Sequence, residues 1–218
     1  MKTEIISYHT QKIWLNLEDI MLIDLTTAIA PNKINFGSKL SRSVIKVLLS
    51  LKKDITWHLG THLDVMKKEF PLDYVERKAV VFDVSQVKNR DIAISDIDFD
   101  KVKKDMCIAF HSGCIEEKGY GSKSYFSKDH PQLCKELINK LLDRKISLIA
   151  VDFPGIRRGA EHIPTDQLCA DNAVFVIENI CNLKAVLDNN KSNEFIANTY
   201  PANYIDVTGL PCRMIAKV

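Results

Sequence analysis

The feature that most constrains this 218-residue chain is the segment from His58 to Asp64, with the sequence His-Leu-Gly-Thr-His-Leu-Asp. Histidine and aspartate are ligand types that divalent metals such as Zn²⁺ and Mn²⁺ accept. On a helix His58 and His62 would share a face without Asp64, and on a straight strand the two ends would lie about 20 Å apart. The three side chains can therefore meet only if the backbone bends, and Gly60 permits a bend. The alternative is that the two histidines and the aspartate are unrelated groups.

Composition is that of an ordinary soluble globular protein and excludes several classes of partner. Hydrophobic residues make up 46% of the sequence and charged residues 27%, and the formal net charge is +2. Because the basic residues are scattered, we expect no nucleic-acid partner. No window is long and apolar enough for a membrane span, and no secretory signal is apparent at the N-terminus. We therefore expect a cytoplasmic protein that acts on a small molecule, with neither nucleic acid nor membrane as a partner.

The chain has six cysteines and no Cys-x-x-Cys pair. Several lie in apolar runs, so we expect buried free thiols in a reducing compartment. A catalytic thiol is the alternative, and Cys114 is its best candidate because it follows His111 and Gly113.

Buried strands dominate the hydrophobic pattern. Apolar and β-branched runs predict strands at 20–25, 78–84, 106–111, 147–153, 173–178, 205–207 and 212–216. Leucine and isoleucine recur at helical spacing over 131–145, which predicts the clearest helix, and a second helix is expected to begin near residue 165. The run 44–51 is ambiguous and leans towards a strand. This mixture predicts a single α/β domain over residues 1–218, with a mixed sheet and a few helices.

Polar side chains fall where the predicted strands end. Those at or just beyond an apolar run are Asp64, His111, Asp152 and Glu178. A free carboxylate after five apolar residues would be costly to bury, so we expect Glu178 to have a partner or a metal unless it lies at an exposed strand end. Arg157 and Arg158 occur in a polar segment that either clamps an anionic substrate or is solvated.

With these residues in place, the chain resembles the cyclase-like metal-dependent hydrolases, a family that includes bacterial kynurenine formamidase and isatin hydrolase. The family motif is His-x-Gly-Thr-His-x-Asp-x-Pro-x-His. Its first seven positions match from His58 to Asp64, whereas its proline and last histidine are replaced by Met66 and Lys68. Weaker landmarks follow in the family's order across nearly the whole chain, at residues 24–26, 130–131, 149–152, 177–180 and 211–213.

The resemblance implies a swivelling β/β/α fold of the cyclase type, in a homo-oligomer such as a dimer or tetramer, with one or two divalent metals, zinc or manganese. It implies that His58, His62 and Asp64 are metal ligands, with Asp64 able to bridge two metals, and that Glu178 is a further ligand. Asp166 stands where the family has another ligand histidine. As a ligand, Asp166 would favour a harder cation such as Mn²⁺ or Mg²⁺ over Zn²⁺.

The residue that moves the proton is an open question at this stage. Lys68 replaces the family's usual proton-transfer histidine, and a lysine acts as a base near neutrality only where its surroundings favour the neutral amine. Lys68 could instead hold an anionic substrate or an oxyanion. His162, four residues before Asp166, is the second candidate for proton transfer.

The function that the resemblance implies is arylformamidase-like hydrolysis. A metal-activated water would cleave an amide, formyl-amide or cyclic amide bond, a C–N bond other than a peptide bond, in a small molecule. Because the motif departs from the family at Met66 and Lys68, two alternatives stay open. One is a small-molecule binding protein of the same fold with altered or lost activity, and the other is a metal-dependent cyclase or lyase.

Overall fold

The computed structural model describes residues 12–14, 21–27, 57–127, 129–189 and 193–218. The described residues form one nine-stranded mixed sheet. Its strands are β1 (Lys12–Trp14), β2 (Met21–Asp24), β3 (His62–Asp64), β4 (Glu76–Asp83), β5 (Cys107–His111), β6 (Leu148–Val151), β7 (Phe175–Glu178), β8 (Glu194–Pro201) and β9 (Gly209–Lys217). The α-helices described are α1 (Cys114–Lys118), α2 (Lys135–Asp143), α3 (His162–Asp171) and α4 (Leu183–Asn189).

Seven of these strands close into a barrel. The order β9-β3-β7-β6-β5-β4-β8 returns to β9, because β8 pairs with both β4 and β9. Strands β4, β5, β6 and β7 are parallel neighbours, whereas β3 runs antiparallel to β7 on one side and to β9 on the other. Strands β2 and β1 extend the sheet beyond β9. This mixed α/β architecture confirms the predicted fold class.

The alternation of side chains along the strands divides the core into two layers. One layer takes residues from all seven barrel strands and lies inside the barrel; examples are Leu63, Ala109 and Ala197. The other layer lies on the outer face of the parallel strands and packs against α2; examples are Ile108 and Leu137. A residue's position along a strand therefore decides whether it faces the barrel interior or the helices.

Most element predictions are confirmed where the sequence is strongly apolar. Strands β2, β4, β5, β6 and β7 lie where strands were predicted, and α2 occupies the centre of the predicted helix. Helix α2 begins after Cys134, whose sulfur accepts a hydrogen bond from the Leu137 N–H. Helix α3 begins at His162, earlier than predicted, because Pro164 is tolerated in a first helical turn.

One strand predicted near the C-terminus is absent and another strand there was missed. Residues 205–207 form no strand, since the chain turns there with Asp206 at a φ of 59°. Strand β8 was not predicted, because its apolar run is only three residues long and its third buried residue is Thr199. Strand β9 covers the predicted run 212–216 but begins earlier, at Gly209. The ambiguous run 44–51 lies outside the described residues.

The thiols and the membrane prediction can be assessed on the described part of the chain. All six cysteines are free, and four of them are buried. Burial raises the pKa of the Cys114 thiol to about 12, which disfavours the reactive thiolate. None of the helices described has the length and apolar character needed to cross a bilayer.

Candidate metal centre

The segment that carries the histidine motif bends at its glycine, as predicted. Gly60 has a φ of 68°, in the left-handed region that favours glycine, and β3 begins two residues later at His62. The Gly60 N–H donates to the Tyr120 hydroxyl at 2.6 Å, and the Asn179 side-chain amide donates to the Gly60 carbonyl at 3.0 Å. The turn is therefore held on both sides by groups that come from distant parts of the sequence.

The bend brings both motif histidines to Asp64. Nδ1 of His58 lies 2.9 Å from Asp64 Oδ1, and Nε2 of His62 lies 3.6 Å from the same oxygen. The other nitrogen of His58, Nε2, contacts the Thr208 hydroxyl at 2.9 Å. The next residue, Gly209, leaves room for the His58 ring, because a Cβ at this position would lie 2.8 Å from its Cε1 and Nε2 atoms.

Strand β7 and helix α3 complete the cluster. His62 is paired with Glu178 across β3 and β7, and Nε2 of His62 lies 3.6 Å from Glu178 Oε2. From α3, Nε2 of His162 lies 3.0 Å from Glu178 Oε1 and 3.2 Å from Asp166 Oδ2. Gly155, with a φ of 99°, lets the chain pass the His162 ring, since a Cβ there would lie 2.8 Å from His162 Cε1.

Several atoms of this cluster are buried without a hydrogen-bond partner, namely Nε2 of His62, Oδ2 of Asp64 and Oδ1 of Asp166. Nδ1 of His62 lies 2.9 Å from the Gly60 carbonyl, which can only accept, so in the neutral ring Nε2 carries the lone pair. Unpartnered buried polar atoms are rare and costly. The ligand atoms within 4.8 Å of one another form two groups that share Asp64, namely His58, His62 and Asp64, and Asp64, His162, Asp166 and Glu178.

The three buried carboxyl groups of the cluster shift the pKa values of one another and of His62. Burial alone would lower the pKa of His62, but the carboxylates of Asp64 and Glu178 raise it to about 9. Burial raises the pKa of Glu178 and of Asp166 well above the ordinary value, and the charge of Asp64 adds to both shifts. The pKa of Asp64 is lowered, because His62 and His58 outweigh its burial. Buried imidazole and carboxylate donors this close together, with atoms left unpartnered, fit a divalent cation.

The cluster lines a cavity of about 560 Å³, a volume suited to a small molecule. Other parts of the cavity wall are apolar or polar side chains from several loops. They include Met66, Phe126, Ile163, Ser127, His130 and Arg158.

The sequence singled out seven candidates for metal binding or proton transfer. The structure brings six of them together, and Lys68 is the exception. The Lys68 ammonium lies 2.7 Å from Asp171 at the end of α3, in an ion pair whose side chains are 46% and 49% exposed. Lys68 does not line the cavity, whereas His162 does. The expected role of Lys68 in proton transfer or substrate binding therefore has no support from its position.

The two arginines of the polar segment have different surroundings. Arg157 is buried and forms ion pairs with Asp91 and Glu161, so it is not placed to clamp a substrate. Arg158 lines the cavity.

The groups that hold the ligands in place were not found from the sequence. They are Tyr120, Thr208, Gly209 and Asn179. Asn179 also accepts a hydrogen bond from the Tyr125 hydroxyl at 2.7 Å. Of these, only Asn179 had a signal in the sequence, because it follows Glu178 in a family landmark.

Comparison with known proteins agrees with this geometry. Among solved structures, a protein described as a potential metal-dependent hydrolase with cyclase activity is 18% identical, with a TM-score of 0.67 over 91% of this chain and 98% of that one. Isatin hydrolase A from Labrenzia aggregata is 18% identical, with a TM-score of 0.67 over 91% and 94%. An isatin hydrolase bound to thioisatinate is 14% identical, with a TM-score of 0.70 over 92% and 93%. At these identities the likeness shows a shared fold.

A search of curated proteins by sequence finds no match. A family model described as "Putative cyclase" matches residues 23–158, which is more than half of the 218-residue chain. The match includes the motif from His58 to Asp64 and the landmark at His130, so it confirms the resemblance found in the sequence. This chain belongs to the Putative cyclase family.

Proposed function

We propose that this chain is a metal-dependent hydrolase that cleaves an amide, formyl-amide or cyclic amide bond, a C–N bond other than a peptide bond, in a small molecule. The observation that carries the proposal is the convergence of three imidazoles and three carboxylates, with unpartnered buried donor atoms, at the wall of a cavity of about 560 Å³. Relatives that share the fold and are described as isatin hydrolases support the same class of reaction.

The residues that would hold a zinc or manganese ion are Asp64, which belongs to both ligand groups, and His58, His62, Asp166 and Glu178. When bound, such a metal supplies Lewis acidity and makes water acidic enough to provide hydroxide near neutral pH. The protein's own contribution is orientation. The Gly60 carbonyl fixes the ring of His62, and the Thr208 hydroxyl fixes the ring of His58.

His162 is the residue that we expect to carry the proton. Its side chain is 34% exposed and lines the cavity, and its Nε2 lies 3.0 Å from Glu178 Oε1. An imidazole can take a proton from water and return it to a leaving amine near neutral pH. The position of His162 in the first turn of α3, next to Asp166 and Glu178, orients the ring for this task.

The apolar part of the cavity wall favours a substrate with a hydrophobic body. Phe126 is 48% exposed and Ile163 is 69% exposed, and both side chains line the cavity. Covering such surface with a ring of the substrate removes apolar area from water, which stabilises binding. An aryl amide or a ring-fused cyclic amide fits this wall better than a small polar amide.

The proposal is tested with a panel of formyl-anilides, isatin and cyclic imides, supplied to the protein as purified, after chelation, and after addition of Mn²⁺ or Zn²⁺. We expect hydrolysis of at least one compound that is lost on chelation and restored by metal. The Asp64→Asn variant should be inactive, because Asp64 belongs to both ligand groups. The matched control, Lys68→Ala, should stay active because Lys68 lies outside the cavity.

Two results of this panel would contradict the proposal. Tight binding of a panel compound by calorimetry without turnover would identify a binding protein of this fold. A product that retains the C–N bond but has a new ring or double bond would identify a cyclase or lyase. The homo-oligomer and cytoplasmic location implied by the resemblance stay predictions, and light scattering of the purified protein tests the first.

A further inference from the structure

A second set of ligand-type side chains lies at the carboxyl ends of the parallel strands. His111 ends β5 and is paired in register with Asp83, which ends β4, while Asp152 directly follows β6. His111 shares its strand face with Cys107 and Ala109, which belong to the layer inside the barrel. Glu178 instead shares its face with residues of the outer layer, so this set lies on the opposite face of the sheet from the candidate metal centre.

Two side chains of this set, His111 and Asp152, lie close to Glu116 of α1. Nδ1 of His111 lies 3.3 Å from Asp152 Oδ2, and one ligand atom each of His111, Asp152 and Glu116 lie within 4.8 Å of one another. His111 is 6% exposed and Asp152 is fully buried. Nevertheless, Nδ1 of His111 has no hydrogen-bond partner. A buried imidazole nitrogen that lies 3.3 Å from a carboxylate oxygen without forming a hydrogen bond needs an explanation.

The Asp152 carboxylate is held in a fixed orientation. The N–H groups of Ser112 and Gly113 donate to Oδ2 at 2.9 Å and 2.8 Å, and the Ser112 hydroxyl donates to Oδ1 at 2.6 Å. The two N–H groups fix Oδ2 at 3.3 Å from Nδ1 of His111. The third group, Glu116, is an exposed residue of α1.

We propose that His111, Glu116 and Asp152 form a second divalent-cation site, separate from the centre at His62 and Glu178. One imidazole and two carboxylates suit Mn²⁺ or Zn²⁺, with water able to fill the remaining positions because Glu116 is exposed. The inference does not depend on the hydrolase activity proposed above, since none of its three ligands belongs to that centre.

An ion at this site would fasten α1 to the sheet. Helix α1 has five residues, too few to be stable by itself, and its attachment sets the path of the segment that follows. That segment contains Tyr120 and Tyr125, whose hydroxyls hydrogen-bond Gly60 and Asn179 beside the first centre. The second ion would therefore support one wall of the candidate active site without touching the substrate.

The test is a count of Mn²⁺ ions bound by the chelator-stripped full chain, measured by calorimetry with MnCl₂ and by elemental analysis after desalting. The Glu116→Gln variant removes one charged ligand at an exposed position, so it should fold normally by circular dichroism. We expect it to bind one Mn²⁺ fewer than wild type, or to bind that ion at least about 10-fold more weakly. The His111→Gln variant should lose the same ion.

Glu117→Gln is the matched control, because Glu117 is the next residue on α1 and pairs with Lys88 instead. It should bind as many ions as wild type. Equal ion counts and affinities in wild type, Glu116→Gln and Glu117→Gln would overturn the proposal and leave His111 and Asp152 as an ion pair only. Because the count needs no turnover, it stands whether or not the chain proves to be a hydrolase.

Discussion

His62 and Glu178 lie opposite each other in the antiparallel pairing of β3 with β7, and the imidazole Nε2 is 3.6 Å from the carboxylate Oε2. A shift of one residue in this register would turn His62 and Asp64 to the other face of the sheet. On its other edge β3 pairs with β9, where Asp64 lies opposite Gly209. The ligand set therefore depends on the register of three strands as well as on the motif.

Gly209 provides a test of the position of His58. A Cβ at residue 209 would lie 2.8 Å from two atoms of the His58 ring, so Gly209→Ala should displace the ring and weaken Mn²⁺ binding by about 10-fold or more. Thr208→Val removes only the 2.9 Å hydrogen bond to His58 and should weaken binding less. Titration calorimetry measures both. An affinity of Gly209→Ala equal to that of wild type would exclude His58 from the ligands.

Lys68 is expected to contribute little to activity or stability. It forms a surface ion pair with Asp171 whose side chains are 46% and 49% exposed, and such pairs contribute at most about 1 kcal/mol. Lys68→Ala should therefore leave kcat/KM nearly unchanged and lower the free energy of unfolding in urea by less than that amount. A loss of activity of about 100-fold would mean that Lys68 enters the site during turnover.

His162 is expected to act on kcat and not on metal content. Replacing it by glutamine keeps a hydrogen-bonding side chain but removes the imidazole, so kcat should fall by about 10²- to 10⁴-fold. Elemental analysis of His162→Gln should give the same metal content as wild type. A variant that has lost a metal ion would instead assign His162 as a ligand.

The stability of the metal-stripped protein should fall as the pH rises from about 6.5 to about 9. Burial opposes the charged form of His62, but Asp64 and Glu178 raise its pKa from 6.5 to about 9. Because the folded state holds this proton more tightly than the unfolded chain does, its stabilising effect is complete below 6.5 and is lost as the pH passes 9. The raised pKa of Glu178 acts in the same direction, since burial and Asp64 favour its protonated form in the folded state.

Urea denaturation with and without chelator, at several pH values, measures this dependence. Bound metal replaces the proton on His62, so the metal-loaded protein should show a weaker loss of stability over the same range. His62→Gln, stripped of metal, should lose the part of the pH dependence that comes from His62. An identical pH dependence in stripped wild type and His62→Gln would show that His62 does not hold the proton.

The motif part of the site could be predicted from the sequence because its three candidate ligands lie within seven residues of one another. The spacing of His58, His62 and Asp64 required a bend, and Gly60 provides it at a φ of 68°. Asp166 was reached only through the resemblance, whereas Glu178 was also indicated by the apolar run before it. Strand pairing and helix docking bring both to the motif from more than 100 residues away in the sequence.

The supporting groups could not be predicted, since each depends on long-range contacts. Thr208 reaches His58 only because β9 pairs with β3, and Tyr120 reaches Gly60 from the segment after α1. Strand β8, which closes the barrel, has an apolar run of only three residues. Only alternate residues such as Phe195 and Ala197 face the core. The sequence therefore indicated the fold class and the main candidate ligands but not the closure of the barrel.

The most direct test of the central claim is elemental analysis of the purified protein beside its His62→Ala variant. The ligand geometry predicts a divalent metal bound in stoichiometric amount in wild type, and at least one metal ion fewer per chain in the variant. Nε2 of His62 is buried without a hydrogen-bond partner, and circular dichroism checks that the variant keeps its fold. The same metal content in a folded His62→Ala protein would contradict a metal centre at His62 and Glu178.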